Sequence, residues 1–497
     1  MQRLISLTSL VTIVFLIVLS SASANAFTPH TTKSLTSTRP STRTDSVFPA
    51  THPIVSKNSQ QQQQQTFSAM PSSTALKTTG GDAAAPPAPA KRIRISAFDS
   101  MRFFLIVFIC IGHFIRFVDP SKFVMNFFAQ VNVVVGAFFV LSGYVTAYTA
   151  TTNGAYEASP KLKPSAVWTL SKVFGYWPLH MIVLAIFAPV FLYADVTYNG
   201  WFQSAIHGLM SATMTQAWFP MHAEVWNAPS WFLSALAFAT ATLPFALPHM
   251  AKMKKSELKR TMLYLVAAGL IPKLGYSYDH NVWGVMEGVT SPKAFPNMAI
   301  FNNQRFNPFF NTVEVLLGAA ACRVVMLDGV DEDKDKVPQT NTMSSLLPLV
   351  GMIAILALRA TEVLQLNDML TRCLLFLPLF VRFMMSCHRA AVAEATGTSK
   401  SKDLIVSFLS SGALTNLGSL AFPMFLVHGP IGQICYKKII ATKLFGGTLN
   451  KLYGANFFYA YLGIVVGTAF LLKKLVLESK AIGTWSKNTA AKWSKGM

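Results

Sequence analysis

The chain has 497 residues, 52% of them hydrophobic and only 13% charged, with a formal net charge of +21. Soluble domains carry about 25% charged residues, so this composition excludes an ordinary soluble globule. There is no basic helix, finger or aromatic-plus-basic sheet motif, which excludes nucleic acid as a partner. The positive excess fits positive-inside topology and contact with anionic lipid or an anionic substrate. Five cysteines (Cys110, Cys322, Cys373, Cys387, Cys435) are scattered without a CxxC, so neither a disulfide framework nor a zinc knuckle is expected. P-loop, GxGxxG and HExxH patterns are absent, and no metal or bound cofactor is expected.

In chain order, Arg3, an apolar stretch to about Ser20 and then Ala24-Asn25-Ala26 form a signal-peptide pattern over 1–26. Residues 27–92 are rich in Ser, Thr, Pro and Gln and cannot bury a core, so a disordered segment is expected. The string Ser23-Ala24-Asn25-Ala26-Phe27-Thr28-Pro29 resembles the bipartite plastid presequence of algae with secondary plastids. A plastid membrane is the expected address, with an endomembrane or the plasma membrane as the rival. No N-x-S/T sequon occurs.

Residues 93–480 predict an all-α, polytopic transmembrane helix bundle of about ten spans, followed by a basic tail, 481–497. The spans are 98–118, 123–149, 167–193, 229–248, 261–275, 308–327, 343–361, 365–386, 405–436 and 455–476, the ninth broken near Pro423. A further piece, 201–219, reads as re-entrant or interfacial. Basic clusters such as Lys252, Lys254, Lys255, Lys259 and Arg260 alternate with loop 194–228, which has no Lys or Arg. That asymmetry puts both termini on one side.

His113 stands out because an ionisable ring is costly inside an apolar run and is a functional candidate by default. Arg102 lies eleven positions earlier, which returns to the same helix face about 16 Å along the axis. Asp99 shares that face. The competing account has Asp99 as a cap and Arg102 snorkelling to headgroups.

Four segments together resemble one family. They are Ile95-Ser-Ala-Phe-Asp99-Ser-Met-Arg102 running on to Gly112-His113; Val135-Gly136-Ala137-Phe138-Phe139-Val140-Leu141-Ser142-Gly143-Tyr144; Thr215-Gln216-Ala217-Trp218-Phe219-Pro220 with Trp226-Asn227-Ala228-Pro229-Ser230-Trp231; and Leu417-Gly418 through Phe422-Pro423-Met424-Phe425-Leu426-Val427-His428-Gly429-Pro430. The chain resembles the acyltransferase 3 family of integral membrane O-acyltransferases over about 93–480. The resemblance implies transfer of an acyl group, acetyl being the expected one, from acyl-CoA as co-substrate to a hydroxyl of a carbohydrate or lipid acceptor. The family's Arg-x10-His pair falls on Arg102 and His113. Its basic Arg-x-x-Arg cluster is reduced here to Lys172, with Gly175 in the second position, so Lys172 is the donor-binding candidate.

Acyl transfer to an alcohol needs a base, and neutral imidazole, with an ordinary pKa near 6.5, can serve. His113 is that candidate base, and an acyl-histidine intermediate is the alternative. Asn227, Trp231 and Ser142 are candidate substrate or oxyanion contacts. Against this, Ser142-Gly143 suits a small-residue packing site, and Trp226 and Trp231 suit an aromatic belt. Glu314 is an intramembrane acid that needs a partner, with Arg323 or a histidine as candidates. His428 precedes Gly429-Pro430, where it either lines a cavity or satisfies freed carbonyls. His180 reads as interfacial. Two other functions stay open: a multispan transporter, and an inactive family member acting as a binding protein.

Overall fold

The computed structural model describes residues 93–496 apart from 119, 153–154, 157–161, 291–294, 329–339, 399–400 and 447–453. The expected signal peptide 1–26 and presequence 27–92 lie outside these residues. The fold is an all-α polytopic bundle whose one β element is the two-residue pair Thr151–Thr152 with Ala155–Tyr156 among the described residues.

Helix α1 (Ala97–Phe114) runs on through a 3-10 turn to Phe117. The second span is broken. It comprises α2 (Lys122–Phe128), α3 (Val131–Val134) and α4 (Gly136–Ala150), with a 43° bend before α4. A broken span must satisfy its freed backbone groups internally. Here Asn126 and Gln130 donate side-chain hydrogen bonds to the carbonyls of Ala360 and Leu356, at 3.0 and 2.7 Å.

Next come α5 (Leu162–Val173) and α6 (Trp177–Thr213). The expected span 167–193 takes in the end of α5 and the first part of α6, and the expected piece 201–219 begins as a separate helical stretch, because a kink with non-helical backbone at Gly200, φ +77°, divides α6 in two. Only glycine adopts that conformation cheaply. Helices α7 (Trp231–Lys252), α8 (Lys255–Asp279), α9 (Met298–Phe306) and α10 (Pro308–Met326) follow. Then come α11 (Thr342–Ala360), α12 (Asp368–Thr371), a π-turn Arg372–Phe376 and α13 (Leu377–Thr396). The last part holds α14 (Leu404–Leu409), α15 (Gly412–Gly418), α16 (Ala421–Tyr436), α17 (Lys438–Phe445), α18 (Ala455–Leu472) and α19 (Lys480–Gly496).

Among the described residues, seven helices are long and apolar enough to cross a membrane, or nine if each bent pair is one span. The expected span 261–275 makes the difference from ten. It lies in α8, where Lys255, Glu257, Lys259, Arg260 and Lys273 dilute the apolar run. The ninth expected span breaks by 50° between α15 and α16, just before Pro423. Pro423 itself sits in the first turn of α16, where a missing N–H costs no helical bond.

The core is anchored where α4 crosses α10. In lipid no hydrophobic force drives helices together, so close packing of small residues must do it. Gly143 lies against the Val315 carbonyl and Gly318 against the Val140 carbonyl, each too near for a Cβ. Gly318→Leu should lower the thermal unfolding midpoint in nanodiscs, with a loss of at least about 1–3 kcal/mol. Trimming the exposed Leu347 to Ala is the control and should change little.

Candidate active site

Residues 315 positions apart in the chain meet at one end of the bundle. His113, in the last turn of α1, places Nδ1 3.0 Å from Nε2 of His428 in α16. The rings are parallel within 19°, with centroids 5.1 Å apart. His428 is fully buried, and its Nδ1 lies 2.7 Å from the Phe425 carbonyl and 3.2 Å from that of Met424.

These contacts fix the protons. A carbonyl only accepts, so His428 Nδ1 carries a hydrogen. With both rings neutral, His428 Nε2 is then an acceptor and His113 Nδ1 must donate to it. The lone pair of His113 is left on Nε2. His428 thus satisfies carbonyls in its own helix and also sets the tautomer of its neighbour. That is the arrangement a general base needs: a bare nitrogen held in orientation by a second group.

Aromatic rings pack beside the pair. Phe114 stacks on Tyr436 at 5.5 Å and meets Tyr461 edge-on at 5.1 Å. Gly432 lies against the Phe114 ring, which leaves no room for a side chain there. The Tyr461 hydroxyl donates to the His428 carbonyl at 3.3 Å.

Asn227 and Trp231 belong to this neighbourhood through packing. The Asn227 amide donates to the Leu426 carbonyl at 3.1 Å, which ties the 227–230 turn to α16. One amide N–H is therefore committed to structure. Trp231 is fully buried between Phe139, Phe232 and Phe306, so it is a core residue and not a belt aromatic. Ser142 adjoins the glycine at the α4–α10 crossing, as the packing alternative anticipates.

Asp99 and Arg102 are not brought to His113. They occupy the opposite end of α1, Arg102 about 16 Å and Asp99 about 21 Å away by helical rise. Asp99 holds Arg102 at 3.2 Å and Arg94 at 3.4 Å. Both Asp99 and Arg102 are buried, so neither the solvent-facing cap nor the snorkelling account fits. Ser100 donates to the Leu409 carbonyl, and Gly418 fits against the Asp99 backbone. Lys172 ends the amphipathic α5, with its ammonium 5.5 Å from the Trp168 ring centroid. His180 is fully buried, with Nε2 2.9 Å from the Ser211 carbonyl.

Glu314 pairs with neither Arg323 nor a histidine. Its partner is Arg372, across the helix interface, while Arg323 donates to the Ala251 carbonyl at 3.0 Å. Arg372 opens the π-turn, a feature that often marks functional sites. Around it lies a buried ionic cluster that the sequence reading missed. Arg359 pairs with Asp368 and bonds Gln130 at 2.6 Å. Arg305 lies 3.4 Å from Glu224 and 3.6 Å from Glu287. Asn132 donates to Glu287, and Val131 beside it packs on Gly112. Gly112 precedes His113, so the cluster reaches the histidine pair through Val131 and Asn132.

Glu287 lies in the loop after α8. Burial pushes its carboxyl above the ordinary value, against the opposing pull of Arg305. A raised folded-state pKa means that stability from this group is full below pH about 4.5 and is lost as pH rises through the folded value. Glu287→Gln removes that term. The unfolding midpoint of the variant, relative to wild type, should therefore rise between pH 4 and pH 7. Parallel curves would show that Glu287 does not titrate differently on folding.

A second missed cluster joins the C-terminal part of α6 to the segment that follows it, residues 195–226. Asp195 accepts from Nδ1 of His207 at 2.9 Å and from the Trp226 indole N–H at 3.1 Å. His207 Nε2 lies 3.0 Å from His222 Nδ1. Burial and then His207 push the His222 imidazole below its ordinary pKa. No group of three or more His, Cys, Asp or Glu suited to a metal ion occurs among the described residues.

A family model described as an acyltransferase domain, Acyl_transf_3, matches residues 95–473, most of the chain. The chain belongs to the acyltransferase 3 family of membrane acyltransferases. No curated protein matches it, and no solved structure does.

Proposed function

We propose that the protein is a membrane O-acyltransferase in which His113 Nε2 removes the proton of an acceptor hydroxyl as that oxygen attacks the carbonyl of an acyl-CoA thioester. The new ester bond forms as the thioester C–S bond breaks, and the coenzyme leaves as its thiol. Acetyl is the acyl group we favour, and a carbohydrate or lipid the acceptor. The observation that carries this reading is the 3.0 Å contact between the two rings, with His428 Nδ1 committed to a backbone carbonyl.

His428 acts as a positioning residue. Lys172 is proposed to attract the phosphates of the donor at the basic end of the bundle. Asp99 and Arg102 are proposed to brace α1 against 409–418 and to hold a cation near that same end. Asn227, which has a second amide N–H beyond the one given to Leu426, is kept as the candidate oxyanion donor, and Trp231 and Ser142 are read as packing residues. The transporter reading gains one observation, the buried ionic cluster. Its ion pairs are closed, however, and no repeat symmetry accompanies them. An inactive binding protein would need no preset tautomer.

Incubating protein in nanodiscs with radiolabelled acetyl-CoA and total glycan and lipid extract tests the reading directly. Label should appear in an ester of the extract. Intact, folded protein that transfers none would favour the binding-protein alternative. We further infer a plastid membrane from the presequence pattern; a fluorescent fusion of residues 1–90 should report that compartment, and secretory fluorescence would refute it.

A further inference from the structure

Lys273, in α8, is 4% exposed, and its one bonded partner is the Cys373 thiol at 2.9 Å. A thiol is a weak acceptor for an ammonium with three hydrogens to place. The nearby carboxylates are engaged elsewhere. Asp368 is taken by Arg359, Glu314 by Arg372, and Glu224 and Glu287 flank Arg305. No carboxylate lies within ion-pairing distance of Lys273 among the described residues. A buried cation without a counter-charge is strongly unfavourable unless something supplies the negative charge.

Beside this ammonium is a cavity of about 20 Å³, lined by Lys273, Arg305 and Arg372 together with Asn132, Gln304 and Asn311. Among the polar atoms around it, Arg372 Nε, Asn132 Oδ1 and Gln304 Oε1 are buried and make no hydrogen bond. Arg372 is 6% exposed, and Gly136 lies so close to its Nε that a Cβ would collide with it. The space left by that glycine lets the guanidinium lie flat beside the cavity. Arg305 and Arg372 on the cavity wall are paired behind it with Glu224, Glu287 and Glu314, and the wall carboxylate Asp368 with Arg359, which leaves Lys273 as the wall cation with no carboxylate partner among the described residues. An ammonium in that position takes an anion, and a guanidinium N–H beside it suits anionic oxygen.

We propose that this cavity is a substrate subsite for an anionic oxygen group, a carboxylate or a phosphate, with Lys273 as its ion-pairing cation and Arg372 Nε as its directional donor. The proposal rests on the acyl-transfer reading only for what carries the group, either an acidic acceptor or the phosphates of the donor. The cavity of about 20 Å³ admits roughly one or two oxygens of such a group, and the rest of the molecule stays outside it. Asn132 links the subsite to the reacting end, since it lines the cavity and its neighbour Val131 packs on Gly112, next to His113. An acceptor held there by its acidic group would bring a neighbouring hydroxyl toward the histidine pair.

The test is binding, not turnover. Full-length protein in neutral phosphatidylcholine nanodiscs is titrated with sodium phosphate and with sodium acetate at constant ionic strength, and its thermal unfolding midpoint is followed. At least one anion should raise the wild-type midpoint in a saturable way. Lys273→Met should weaken that response at least tenfold, and without anion its midpoint should equal or exceed that of wild type. Lys273→Arg should keep the response. Arg372→Lys, which retains charge but loses Nε, should weaken it severalfold and serves if the methionine variant does not fold. No stabilisation of wild type by either anion, or an undiminished response in Lys273→Met and Arg372→Lys, would overturn the proposal. Coenzyme A separates the sources. If the donor fills the subsite, Lys273→Met binds coenzyme A at least tenfold more weakly and coenzyme A abolishes the phosphate response. If the acceptor fills it, both proteins bind coenzyme A alike and the phosphate response persists. A lysine-dependent anion response without any coenzyme A binding would keep the subsite and refute the acyl-CoA reading.

Discussion

Alanine at position 113 is expected to lower acyl transfer by about 10²–10⁴-fold, the usual contribution of a positioned general base. The loss should fall on kcat, because the lone pair at Nε2 acts when the hydroxyl proton moves and contributes little to holding either substrate. Protein yield and unfolding midpoint should stay near wild type, since His113 is half-buried at the last turn of α1 and not in the closely packed α4–α10 crossing. A radiolabel assay with matched protein amounts checks this. Near-normal turnover would remove His113 from the chemistry. Label retained on wild-type protein, and absent from the alanine variant, would instead identify the acyl-histidine route.

His428→Leu is expected to be almost as damaging, and for a different reason. Without an acceptor at that point, His113 Nδ1–H has lost the group that selects it, and the ring can place its hydrogen on Nε2, where the base is needed. Losing the tautomer-fixing acid of a Ser-His-Asp triad costs about 10⁴ in kcat. A neutral ring acceptor is a weaker guide, so a loss of about 10²-fold is expected here. His428→Gln is the discriminating variant. Its side-chain oxygen can accept from His113 Nδ1–H, and it should recover about tenfold over leucine. KM should move little in either variant. If glutamine and leucine are equally impaired and both lower the unfolding midpoint, His428 serves only the carbonyls of its own helix.

Much of the fold was legible because the membrane imposes a long apolar period, and most spans follow from it directly. The misjudged places have local causes. Span 261–275 carries Lys273, whose partners are a thiol and a cavity and not lipid. The 201–219 piece was legible as separate, since Gly200 interrupts the apolar run and the backbone there is non-helical and divides α6. The site was half legible. His113 announced itself as an ionisable ring in an apolar run, and His428 by its Gly-Pro neighbours. Their contact was not readable, since 315 residues separate them and no periodicity relates one helix to the other. The same holds for Glu314, whose partner was sought along its own helix and lies across the interface at Arg372. Arg305, Arg359 and Arg372 could have been flagged by the rule that intramembrane charges are functional by default. They sit at helix ends, where cations are ordinarily interfacial, and only the fold shows them buried.

The most direct test of the account is the protonation of one nitrogen. Solid-state NMR of protein with ¹⁵N-labelled histidine, with His113→Gln as the assignment control, reports which ring nitrogen carries hydrogen at neutral pH. A hydrogen on Nδ1 and a bare Nε2 at His113, reversed or mixed in His428→Leu, is the predicted result. A hydrogen on His113 Nε2 in the wild-type protein would contradict it.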